Sequence, residues 1–80
     1  MNDFDYIKDA KEIIGQLSSP ELASWKEKIS DAIDYGSTGN EILMGVRYNL
    51  AELLKSDLKL SPMLQQSVSD YIASANKLLS

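Results

Sequence analysis

Neither cysteine nor histidine occurs in the 80 residues of this chain, and the two absences remove whole classes of chemistry. Without cysteine there is no disulfide framework, no thiolate nucleophile and no thiolate metal site, and a reducing cytoplasm is the compartment that suits such a composition. Without histidine the usual general base near neutral pH and the commonest transition-metal ligand are missing too. The serines have no base to activate them, so the chain reads as a non-enzyme with no metal and no cofactor. There are only two prolines and four glycines, few enough for each to be read as punctuation. No apolar run approaches the ~20 residues of a membrane-crossing helix, and the acidic start Met1-Asn2-Asp3-Phe4-Asp5 is opposite in charge to a secretory leader. The expectation is a cytoplasmic protein that makes no use of a membrane.

What is present is a globular composition, 44% hydrophobic and 25% charged, in a chain long enough for a single domain (residues 1 to 80) with one core. The net charge is −4, which disfavours nucleic acid as a direct ligand because neutralising phosphates takes clustered Lys and Arg. The acidity is local. Residues 1 to 41 hold nine acids against four bases, whereas residues 42 to 80 hold three against four.

The apolar spacing predicts four helices. The first runs from about Asp3 to Leu17, capped by Asn2 or Asp3, with Phe4, Ile7, Ala10, Ile14 and Leu17 on one face and Gly15 weakening its last turns. Ser18-Ser19-Pro20-Glu21 opens the second, with a serine cap, a proline in the first turn and an acid near the positive end of the helix dipole. Its stripe is Leu22, Trp25, Ile29, Ala32 and Ile33, and Gly36 is placed to end it. Thr38-Gly39-Asn40-Glu41 has capping-box spacing, in which Glu41 would reach back to the Thr38 N–H, and starts a third helix reaching about Lys55. Leu43, Val46, Leu50, Leu53 and Leu54 form that helix's stripe. Ile42, Met44 and Tyr48 lie off it, so the third helix is either the most central or one that meets a second molecule. After a connector over residues 56 to 60, Ser61-Pro62 opens a fourth helix carrying Leu64, Val68, Tyr71, Ile72, Ala75, Leu78 and Leu79.

The two halves share the plan helix, Ser-Pro, helix, and the wording Ile29-Ser30-Asp31-Ala32-Ile33 beside Val68-Ser69-Asp70-Tyr71-Ile72. Common capping physics accounts for such likeness as readily as duplication does. Either way the expected fold is all-α, a four-helix antiparallel bundle of two helical hairpins with short loops, residues 36 to 40 forming the central crossover.

The candidate sites are surfaces. Gly36-Ser37-Thr38-Gly39 offers N–H donors near a helix start, but a phosphate loop needs four residues between its glycines, a following lysine and a preceding strand, none of which is here. A helix stop joined to a helix cap uses every residue of the segment. Carboxylates at helical spacing, Asp5 with Asp9 and Glu27 with Asp31, fall on faces interspersed with lysine, where solvent keeps their pKa values ordinary. Glu27, Asp31 and Asp34 also run along one side of the second helix to Tyr35, beside the crossover residues Thr38 and Asn40. Such a strip is either a solubilising face or a surface that steers a basic protein partner. Arg47, among Met44, Tyr48 and Ala51, either anchors an interface or pairs with an acid such as Asp31 or Asp34, its stem covering apolar surface. Trp25 reads as core.

The wording from Tyr35 to Leu50, Gly-Ser-Thr-Gly-Asn-Glu-Ile-Leu-Met-Gly-Val-Arg-Tyr-Asn-Leu after the tyrosine, resembles stretches of small acidic helical proteins of bacterial toxin–immunity systems. The resemblance covers under a quarter of the chain. It implies an immunity protein, a cytoplasmic non-enzyme that binds a cognate toxin, often a basic nuclease, and blocks it. The partner-binding residues expected on this reading are Glu27, Asp31, Asp34, Tyr35, Thr38, Asn40, Met44, Arg47 and Tyr48. The alternative is a structural or regulatory module that forms a homodimer through the third helix.

Overall fold

The apolar periodicity resolves into α1 (Tyr6–Gln16), α2 (Ala23–Tyr35), α3 (Gly39–Lys55) and α4 (Pro62–Leu79), with a 3₁₀ turn, Pro20–Leu22, leading into α2. The structure is a computed structural model that describes residues 4 to 79. Among the described residues there is no strand, and each helix packs on the next in chain order, with α4 closing back on α1. The result is the expected antiparallel four-helix bundle. Contacts across the diagonal join α1 to α3, whereas the backbones of α2 and α4 stay apart.

Local chemistry sets the helix ends. Asn2 and Asp3, the expected caps of the first helix, lie outside the described residues. The cap is Asp5, whose carboxylate accepts from the Lys8 N–H at 3.0 Å, so α1 starts later than the spacing suggests and Phe4 precedes it. Ser19 occupies the cap position before Pro20, but its side chain makes no capping bond, and the proline opens a 3₁₀ turn closed by Leu22 N–H to the Ser19 carbonyl at 3.0 Å. Ser61 does cap α4, its hydroxyl accepting from the Leu64 N–H at 3.1 Å. Thr38 caps α3 through the Glu41 N–H at 3.2 Å, while the Glu41 carboxylate reaches back to the N–H of Ser37, at 3.1 Å, instead of that of Thr38. Asn40 therefore belongs to the first turn of α3, and the crossover shrinks to Gly36, Ser37 and Thr38.

Gly36 does end α2, with φ −69° and ψ 131° in the extended region. Its glycine identity answers a close approach, because a Cβ there would stand 2.5 Å from Ile42 Cγ1 and 3.0 Å from the Ala32 carbonyl oxygen. Further along α3, a Cβ on Gly45 would come 3.1 Å from the Ala32 Cβ. Small residues thus let α2 and α3 approach closely and fix their antiparallel register.

The core consists of Ala10, Ile13 and Leu17 from the first hairpin's outer helix, Leu22 and Ile29, then Leu43, Val46, Leu50 and Leu53, then Leu64, Val68, Tyr71 and Ala75. Burying a leucine or isoleucine side chain contributes about 1.5–3 kcal/mol, so these positions dominate stability. Two expectations are corrected. Ile13 joins the buried face of α1 and Ile7 does not, while Phe4 and Ile14 are partly buried against the core as expected, because 10, 13 and 17 fit helical spacing as well as 10, 14 and 17. Leu54 is 39% exposed and Leu78 51%, so neither belongs to its helix's buried stripe. Trp25 is half-buried against the core with the Lys28 ammonium 4.6 Å from its ring centroid, and Leu58 and Leu60 of the connector also pack on the core. Within the shared wording of the two halves, Ile29 and Val68 are both fully buried and Asp31 and Asp70 both exposed, so the same pattern serves the same faces.

Candidate functional site

The contacts of Ala32 with Gly45 and of Gly36 with Ile42 lay the C-terminal half of α2 beside the N-terminal half of α3. Tyr35, at the end of α2, consequently lies on the helix adjoining Met44 and Tyr48 of α3. These three are 80%, 50% and 64% exposed and lie on adjoining helices, while Met63 and Leu78 are exposed singly on α4. Glu27, Asp31 and Asp34 are exposed along α2, and none forms an ion pair among the described residues. Carboxylates outside any ion pair among the described residues, with Lys26 and Lys28 on the same helix, therefore run alongside an apolar and aromatic surface. An acidic border steers a cationic partner, and the aromatics supply contact area once it arrives.

Other expected members of the face are placed differently. The Thr38 hydroxyl is engaged in capping α3, while Asn40 is exposed in the first turn without a hydrogen-bond partner among the described residues. Arg47 does not pair with Asp31 or Asp34. It is half-buried, and its Nη1 donates to Asn76 Oδ1 of α4 at 2.8 Å, so the guanidinium is held toward α4 and not toward α2. The reason is the helical angle: Gly45 and Ile42 face α2, which turns position 47 to the other flank.

A concavity of about 200 Å³ opens between α1 and α4. Phe4, Ile13 and Tyr71 form its apolar surface, and Asp9, Glu12 and Asp70 its carboxylates. Phe4 meets Tyr71 edge-on, with centroids 5.2 Å apart and planes at 73°. Asp9 departs from the solvated face and ordinary pKa that its spacing implies. Its carboxyl is pushed up, first by burial and then by Glu12 and Asp5, with Lys8 opposing. No local sequence signal marks this groove, since Asp9 and Asp70 meet only through the docking of the first helix on the last. Among the described residues no group of His, Cys, Asp or Glu is arranged to hold a metal ion, and no helix is long and apolar enough to cross a membrane.

No protein-family model, curated protein or solved structure matches the chain.

Proposed function

We propose that this chain is a non-enzymatic, cytoplasmic inhibitor that binds a basic protein through α2, the crossover and the outer side of α3, as an immunity protein neutralises a nuclease-type toxin in bacteria. The observation that carries the reading is the adjacency of three exposed acids outside any ion pair among the described residues, Glu27, Asp31 and Asp34, to the exposed side chains of Tyr35, Met44 and Tyr48 on adjoining helices. Large exposed apolar side chains mark an interaction surface, and the acids beside them select the charge of what binds. The same acids oppose self-association by this face, because a two-fold dimer would bring like charges toward each other.

The experiment is inhibition by the purified chain of the protein encoded beside its gene. The reading expects stoichiometric loss of that protein's toxic activity, relieved when Glu27, Asp31 and Asp34 are changed to lysine. No binding, or full inhibition by the charge-reversed chain, overturns it. Exposure of Met44 and Tyr48 also admits the second reading, a homodimer through α3, which requires a dimeric mass by light scattering.

A further inference from the structure

We propose that Arg47 receives a side-chain carboxylate, Asp or Glu, of the same protein partner, and that this pair sets how long the complex lasts. The inference rests on the function proposed above and adds to it the chemistry of one contact.

The guanidinium is held in place and meets no carboxylate. Its Nη1 donates to Asn76 Oδ1 on α4 at 2.8 Å, a bond across 29 residues of sequence that keeps the long side chain against the neighbouring helix. That acceptor is a neutral amide. Although the chain carries twelve Asp and Glu, none pairs with Arg47 among the described residues, and the rest of its donor fork is unoccupied there. Each acid of the two helices is engaged or placed elsewhere. Glu41 accepts from the Ser37 N–H, Glu52 pairs with Lys55, and Asp70, the one acid of α4, lines the concavity on the α1 side.

Position selects the occupant. Arg47 is half-buried, next to exposed Tyr48 and one turn after exposed Met44. A partner seated on Met44 and Tyr48 therefore covers the guanidinium as well, and withdrawing an arginine from water without an acid to meet it is costly. The complementary group is a carboxylate, whose two oxygens match the planar fork. Because Asn76 has already ordered the side chain, less rotamer freedom is lost when the pair forms. Acids along α2 and a cation on the α4 side of α3 differ in sign across the surface, which fixes the partner's orientation.

The test is the association and dissociation rate of the complex with the protein encoded beside the gene, for the unaltered chain and for Arg47→Met, which keeps an apolar stem and removes the charge. The expected result is dissociation faster by about thirtyfold or more with association little changed, the converse of the lysine substitutions on α2. Arg47→Lys should restore only part of the loss, since an ammonium lacks the fork. Among single Asp→Asn and Glu→Gln changes on the partner, one should speed dissociation from the unaltered chain equally and have no further effect with Arg47→Met. Unchanged dissociation in Arg47→Met, or no partner acid coupled to it, overturns this inference and leaves the proposed function standing. A complex that fails to form with the unaltered chain overturns both. A dimeric mass for the isolated chain that Arg47→Met reduces to a monomer assigns the site to a second copy, which overturns it too.

Discussion

The hydroxyl of Tyr71 donates to the backbone carbonyl of Tyr6 at 2.9 Å, tying the middle of α4 to the first turn of α1 across 65 residues of sequence. Tyr71 is 2% exposed, so its hydroxyl needs this partner, and the bond itself is part-buried. The bond, with the edge-on Phe4 ring, closes the bundle where the first and last helices meet. Tyr71→Phe should cost roughly 1 kcal/mol by removing the donor alone, and Tyr71→Ala about 3–5 kcal/mol by also opening a cavity. Denaturant midpoints of the two variants test this ranking.

The same residue governs stability in alkali. Burial, then Asp9 and Tyr6, push the Tyr71 phenol well above the ordinary value of 10.0, so the folded chain holds its proton after the unfolded chain has lost it. Stability supplied by Tyr71 is therefore complete below pH 10.0 and falls as pH rises beyond it. Unfolding free energy followed upward from neutral pH should decline above that point, and more gently in Tyr71→Phe.

The glycines separate by what surrounds them. A Cβ added at Gly15 would meet nothing within 4 Å, so Gly15→Ala should stabilise by about 0.5–1 kcal/mol through helix propensity. Gly36→Ala drives a methyl into Ile42 and the Ala32 carbonyl, and should destabilise by about 1–3 kcal/mol. Thermal melts of both, read for opposite signs, check the α2–α3 packing directly.

Core depth makes a further distinction. Leu50 is fully buried, so Leu50→Ala should cost about 2–5 kcal/mol, whereas Ile72, half-buried on the same core's edge, should lose less on the same truncation. Equal losses at the two positions would contradict the observed placement of α4 against α3.

Features that depend on neighbours in sequence are legible from residues alone. Thr38 and Ser61 cap where their spacing says, and the α3 stripe of Leu43, Val46, Leu50 and Leu53 is buried as its period requires. What escapes such reading is decided between helices. Ile13 lies deeper than Ile14, which packs at the core's edge, because the rotation of α1 follows from its seat on α4, and Arg47 meets Asn76 because the α2 register points position 47 the other way. Gly36 ends a helix as its position implies, while the close approach of Ile42 that keeps a Cβ out is visible only in the packing. The exposed tyrosines and acids of α2 and α3 are identifiable by period, while the α1–α4 groove joins residues distant in the chain and has no local signature.

The most direct measurement is the association rate of the chain with the protein encoded beside its gene, followed against ionic strength for the unaltered form and for the lysine substitutions at 27, 31 and 34. The account predicts a rate that falls steeply with salt for the former, and for the latter a rate lower by about tenfold or more that salt hardly changes. Equal rates with equal salt dependence would contradict it.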